Sequence, residues 1–464
     1  MPSRTTIALL AFLPAAAQAT EVEVDGAYRA RARAFDTLSL DRELDDSERL
    51  SALIQHRLWL RPRFLLSDQV ALNIDFKGLD NVVWGERSLV PASGVATAAP
   101  TFGWDVTAPV VDPNDADADG TEALQDFTLW RAWGEIHSNI GRFRFGRMPL
   151  HWGSGIWQND GLSVGAHFAD YGDTADRIEW NYLVIDQFSV RLAADVNSEN
   201  FINQADDTTS FSAALAYQNE TVAAGINSEL QHRVNSKDKD ARINIFTIDL
   251  AASAELGKLY VETESVGQFG GGRWNDTFDD VNIAAFGSMT GVDLHLNPMS
   301  LRLEGGIATG DSSLGDQNLR TFTFDRDYSV GIMLFEQNLP TLAAALGTDG
   351  NGNRSLDQTL TGNAISNALY IKPQVRYSLL EGFDVHGAWL AARTAKVPDN
   401  FGNRTSYGME IQAGASYTGV EHVDVDFTYG LFLPGSYYKT LPDETYTEFT
   451  APAHGFQLST RIHF

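Results

Sequence analysis

The carboxy-terminal stretch AHGFQLSTRIHF, from Ala453 to Phe464, alternates with a period of two. Phe456, Leu458, Thr460, Ile462 and Phe464 fall on one face, and Gln457, Ser459, Arg461 and His463 on the other. A period of two is that of an extended strand, and this division suits a strand with lipid on one side and water on the other. The last strand of a soluble sandwich alternates as well. A terminal strand of this kind needs a first strand to pair with, so the rest of the chain decides between the two.

The pattern recurs from the amino-terminal end. In Glu21 to Phe35, Val22, Val24, Tyr28, Ala30 and Ala32 are set outward against Glu23, Asp25, Arg29, Arg31 and Arg33. Ser51 to Phe64 sets Ile54, Leu58, Leu60 and Phe64 against Gln55, Arg57, Arg61 and Arg63, with His56 breaking the apolar face. Gln69 to Lys77 is the cleanest case: Val70, Leu72, Ile74 and Phe76 alternate with Ala71, Asn73, Asp75 and Lys77. Continued to the end, the reading gives about 18 strands, each near the length a tilted membrane strand needs. Tight turns such as Leu66-Ser67-Asp68 alternate with long polar gaps, of which 79–122 and 310–363 are the longest. The expected fold is therefore all-β: a transmembrane antiparallel β-barrel over residues 20–464 with long extracellular loops, the second of which can fold into the pore. Tyr370, Tyr377, Trp389, Tyr407, Tyr417 and Tyr429 are expected in an interfacial aromatic girdle.

Bulk properties agree with that fold. A chain of 464 residues exceeds the usual single soluble core. Its mean hydropathy of −0.20 is what a wall with only alternate residues in lipid requires. Residues 1–19 read as a signal peptide, with an apolar run from Ile7 to Leu13 and a small-x-small site at Ala17-Gln18-Ala19. No cysteine is present, which removes disulfides and thiolate chemistry. A net charge of −27 with dispersed basic residues excludes nucleic acid as a partner.

Charges assigned to the lumen are polarised. The first seven strands contribute Arg29, Arg31, Arg33, Arg57, Arg61, Arg63, Lys77, Arg131, Arg147, Arg177 and Arg191. Later strands contribute Asp249, Glu262, Glu264, Asp293, Glu304, Asp384, Glu410, Asp424 and Asp426, with Lys258, Arg302, Arg376 and Arg461 among them. Opposed walls of this kind set a transverse field across a pore, whereas pairing between neighbouring strands would only stabilise the wall. Arg142 and Arg144 alternate with Phe143 and Phe145, so their face is open.

Three segments carry a resemblance: GRFRFGRMPLHWGSG from Gly141 to Gly155, GGIATGD from Gly305 to Asp311 followed by Arg320-Thr321-Phe322, and YGLFLPGSY from Tyr429 to Tyr437. Together they look like the alginate-export porin family, and the terminal Phe464 resembles the signal read by the outer-membrane insertion machinery. The resemblance implies an 18-stranded barrel that carries an anionic exopolysaccharide across the outer membrane of a Gram-negative bacterium. Its Arg-lined constriction maps best onto Arg147. Met148 stands where the family commonly places Gln, and the inward acids make this lumen less uniformly basic.

Asp115, Asp117 and Asp119, with Asp126 at the twelfth position, have the spacing of a calcium loop, and Asp349, Asn351, Asn353 and Asp357 form a weaker one. An acidic solvated loop has the same composition. His151, Ser154 and Asn159 supply the residue types of a barrel phospholipase, but not its spacing, so the chain is read as a channel and not an enzyme. The expected function is export of a hydrophilic polymer in contact with outer-membrane lipid and periplasmic export proteins. The alternatives are a general diffusion porin for small polar solutes and a plugged structural barrel. The residues expected to line the path are the eleven basic groups above without Lys77, together with Arg302, Glu304, Glu410, Asp424 and Asp426.

Overall fold

The computed structural model describes residues 21–38, 40, 50–84, 127–162, 170–198, 208–234, 241–273, 280–313, 316–337, 339, 364–397, 404–438 and 450–464. The first strands are β1 (Glu21–Asp36), β2 (Leu50–Ser67), β3 (Val70–Val83), β4 (Phe127–Ser138), β5 (Gly141–Pro149), β6 (Thr174–Ile185) and β7 (Phe188–Ser198). Next come β8 (Thr208–Gln218), β9 (Val222–Val234), β10 (Arg242–Leu256), β11 (Leu259–Gly272), β12 (Val281–Leu296) and β13 (Met299–Ala308). The last are β14 (Asn318–Leu319), β15 (Ala368–Leu380), β16 (Phe383–Thr394), β17 (Ser406–Val420), β18 (Val423–Pro434) and β19 (Ala453–His463).

Neighbours in sequence pair antiparallel, except that β13 pairs β15 directly while the two-residue β14 lies parallel to β12. The first and last strands also pair, with Ala27 opposite His463, which closes an 18-strand wall. Gly26 and Phe464 complete the seam: each backbone N–H donates to the other's carbonyl, at 2.9 and 3.0 Å. The Phe464 ring lies over Gly26, in the space a Cβ there would need.

Why the chain closes this way follows from its outer face. Leu129, Ile178 and Phe211 are 56, 69 and 65% exposed, and similar residues recur on strand after strand. So large an exposed apolar surface is stable only against lipid. At the end of the barrel with short turns, Trp180 stacks on Tyr182 and Phe188 packs on Tyr217 at 4.9 Å. Tyr377, Trp389 and Tyr417 are exposed as a girdle requires, whereas Tyr370 and Tyr407 are not. Those two turn inward and are buried, because the loop-end lumen holds an apolar core. Phe322, Phe324, Val330, Ile332, Met333 and Leu334 from the chain after β14 pack there against wall residues such as Leu390 and Phe432. Among the described residues no helix is long and apolar enough to cross a membrane.

Candidate functional site

Two segments enter the lumen between the long-loop ends of the strands: residues 150–162 with 170–173, and residues 320–337 with 339. The wall holds each through charged groups.

On the basic side the ladder places like charges opposite each other, Arg29 facing Arg57 on β2 and Arg461 on β19. Such pairs repel unless an anion intervenes. Asp170 supplies it: its carboxylate is 2.7 Å from Arg29, 2.6 Å from Arg31, 3.7 Å from Arg33 and 3.9 Å from Arg57. Burial alone would raise the Asp170 carboxyl, but Arg31, Arg29, Arg57 and Arg33 together hold it well below the usual carboxylate range. Asp80 also pairs with Arg57, and Arg461 finds Asp424 at 2.8 Å.

Beside the ladder, a register shift between Asp75 and Phe76 marks a bulge where β3 meets β4 at Trp130. Arg131 and Lys77 lie over the Trp130 ring, at 3.4 and 3.5 Å from its centroid. Arg131 is fully buried. It donates to the carbonyls of Asp160 and Asp173 at 3.2 and 2.9 Å and to Thr174 Oγ1 at 2.8 Å, and its other nitrogen lies 3.6 Å from Asp75. The two inward segments also bind each other through Asp327, whose carboxylate accepts the N–H groups of Asp170, Tyr171 and Gly172. Asp173 and Asp325 meet in the same contact, where burial raises both carboxyls and the Asp327 charge adds to it, with Asp173 adding further at Asp325.

The acidic wall works in the same manner. Glu410 is fully buried and accepts the N–H groups of Ile332, Met333 and Leu334, at 2.8, 3.2 and 2.8 Å. Glu304 takes the Tyr328 and Tyr370 hydroxyls at 3.0 Å, while Arg302 bridges Glu262, Asp293 and Glu304. Glu264 accepts the Ser154 N–H at 2.5 Å, and Glu229 accepts Gln158 at 3.1 Å. Below the 329–332 turn, toward the short-turn end, a cavity of about 290 Å³ remains, lined by Arg302, Lys372, Arg376, His386, Gln412 and Asp426 among others.

The structure sorts the expected residues accordingly. Arg29, Arg31, Arg33, Arg57, Arg131, Glu304 and Glu410 converge on the two inward segments. Arg177 is spent within the wall on Asp195, at 2.6 Å, and Arg63 pairs with Glu23 at 3.3 Å. Arg61 stands opposite Asp25, Arg191 lies 5.2 Å from the Trp152 ring, and Asp426 accepts Ser416 at 2.9 Å. Arg147 corrects the sequence reading. It pairs across the strands with Ala132 and Asp176, which alternate with the buried Arg131 and Arg177, so it lies on the outer face in a two-bond pair with Asp176 at 3.0 and 2.7 Å. Arg144 takes the inward face instead and binds Glu179 at 2.6 Å. His151, Ser154 and Asn159 sit on the first inward segment, where the Asn159 carbonyl and N–H bond Asp173 and the Ser154 N–H bonds Glu264. Residues 1–19, the run Asp115, Asp117, Asp119 and Asp126, and the positions Asp349 to Asp357 lie outside the described residues.

Asp170 and Asp327 were not singled out from sequence. The 27 residues between Arg147 and Ala175 gave the only signal, a gap too long for a hairpin and rich in Gly and Asp near its end.

No protein-family model matches the chain, and no curated protein does. Solved structures do match, at low identity. OccK11 (OpdR) of Pseudomonas aeruginosa superposes with a TM-score of 0.52 at 8% identity over 96% of both chains. OpdL of the same organism gives 0.53 at 9% over 96% of this chain and 99% of that one. OpdQ, also from Pseudomonas aeruginosa, gives 0.52 at 10% over 96% and 97%. The shared feature is the fold of Gram-negative outer-membrane porins, and a barrel with this lipid-facing belt belongs in that membrane. Nothing in these likenesses supports the alginate-export family.

Proposed function

We propose that this chain is an outer-membrane channel passing small polar solutes through a lumen narrowed by two of its own segments. The observation that carries the reading is the engagement of the arginine ladder: Arg29, Arg31, Arg33 and Arg57 all reach Asp170, so they hold the constriction in place. Polymer export calls for many weak, open contacts along the path. Here four arginines of the ladder already share Asp170, and the polar cavity of about 290 Å³ is on the scale of a small solute. The alternating wall supplies water-facing groups throughout, and the porin-like fold agrees with diffusion through the barrel.

Refolded protein in liposomes and planar bilayers tests this. Amino acids and monosaccharides are expected to swell the liposomes, with rates falling by roughly tenfold for tetrasaccharides as the constriction excludes them. Block of the ion current by long anionic oligosaccharides, or their permeation, would return the reading to a polymer conduit. Absence of both swelling and conductance would leave a plugged structural barrel.

A further inference from the structure

On the wall behind the first inward segment, three neighbouring strands bring Asn227 of β9, Asp249 of β10 and Glu264 of β11 to one inward face. Asp249 lies opposite Asn227, and Glu264 is two positions from Val266, the partner of Asp249 on β11. All three are fully buried. Neither oxygen of Asp249, nor Asn227 Oδ1, nor Glu264 Oε1 accepts a hydrogen bond from a described residue. The remaining polar atoms of Asn227 and Glu264 are used on the other side. Asn227 Nδ2 donates to Gln158 at 3.5 Å, and Glu264 Oε2 accepts from Ser154 and Ile156 at 2.5 and 3.4 Å. Asn227 and Asp249 are cross-strand partners and Glu264 lies diagonally from Asp249, so these four oxygens share one patch of the buried inward face.

Among the described residues no Lys or Arg forms an ion pair with either carboxylate, and Asp249 has no hydrogen-bond partner at either oxygen. Two buried like charges without a counter-charge are costly and call for a proton or a cation. A proton shared between the carboxylates satisfies two oxygens and leaves Asn227 Oδ1 and one oxygen of Asp249 with nothing. A hard cation takes all four. Oxygen-only donors, one carboxylate able to bind through both atoms, and irregular spacing suit calcium better than magnesium, which demands a near-ideal octahedron. No third His, Asp or Glu joins them among the described residues, so water completes the shell and affinity falls in the range of about 10⁻⁴–10⁻³ M seen for extracellular modules.

We infer that Asn227, Asp249 and Glu264 form a calcium site on the lumen wall that staples the 154–158 segment to β9, β10 and β11. The site is separate from the transport reading and stands or falls without it.

The test uses the refolded full chain, free of lipopolysaccharide, with thermal unfolding and calcium titration by calorimetry in EDTA and in CaCl₂ of about 1 mM. Calcium is expected to raise the wild-type melting temperature by several degrees, and magnesium to raise it much less. Asp249→Asn is expected to fold, because it removes the carboxylate repulsion, and to lose the calcium response. Asn227→Ala is expected to need roughly tenfold more calcium, and it carries the test if Asp249→Asn does not fold. A wild type indifferent to calcium but destabilised by rising pH would overturn the proposal in favour of a shared proton. An Asp249→Asn variant that kept the full calcium response would overturn it by placing the ion elsewhere.

Discussion

Asp327 accepts the backbone N–H of Asp170 at 2.7 Å, and the same carboxylate takes those of Tyr171 and Gly172 at 3.1 and 2.6 Å. Three consecutive N–H groups converging on one carboxylate form an anion-binding concavity. Its position fixes a relay through the lumen: the wall arginines hold the side chain of Asp170, Asp327 holds its backbone, and the segment carrying Asp327 is fastened by Glu304 on β13 and Glu410 on β17. The constriction is one connected object and not two independent loops.

Replacing Asp327 with Ala removes the acceptor of three N–H groups at a buried site. Breaking a buried charged network in this way costs about 3–5 kcal/mol. Thermal unfolding should show that loss, and single-channel recording should show a larger and noisier current, with Asp327→Asn falling between. Unchanged conductance would mean that apolar packing around Phe324 and Ile332 is enough to hold the segments.

Asp170→Asn uncovers four arginines and should move ion selectivity toward anions by several-fold in permeability ratio, read as a reversal potential across a salt gradient. Arg147→Ala provides the contrast. Its ion pair with Asp176 is half exposed on the outer face, where such pairs contribute about 0–1 kcal/mol. Selectivity and conductance should not change, and a shift in either would place Arg147 back in the path.

Glu336 predicts a pH dependence. Burial raises its carboxyl to about 8, against the pull of the Ser329 hydroxyl and Arg33. A folded-state value above the ordinary one means the neutral form is favoured, so this contribution is complete below about 4.5 and is lost as pH rises through about 8. Asp170 acts oppositely: its contribution is present above the ordinary carboxylate value and disappears only as pH falls through its lowered one. Raising the pH from about 5 to about 9 should therefore loosen the 329–337 turn and increase conductance. Glu336→Gln should flatten that rise, and an unaltered profile in the variant would assign it to other groups.

Much of the wall was legible because alternation is a local property. In Gln69 to Lys77 each side chain declares its face through its neighbours, and the lipid-facing set appears in the structure as read. The same rule located Arg29, Arg31 and Arg57. Arg147 is set inward only as the best match of a family constriction, although a period of two puts it on the face of Phe143 and Phe145, and Phe145 is exposed. The cross-strand register with Asp176 confirms that outer face, and that register is set only when β6 pairs with β5.

Local alternation is enough to specify the barrel: strand number, the facing of most residues, long loops at one end and a polarised lumen. The tertiary structure alone decided what the lumen charges do. Whether Arg31 is open to a solute or bound to Asp170 depends on where a segment 139 residues away comes to rest. That placement is set by apolar burial of Phe322, Ile332 and Met333 against Leu390 and Phe432, together with Glu410 and Asp327, whose carboxylates accept backbone N–H groups of the inward segments. Period and composition record which side of a strand faces water. They carry no record of which distant chain will fill the space that the strands enclose.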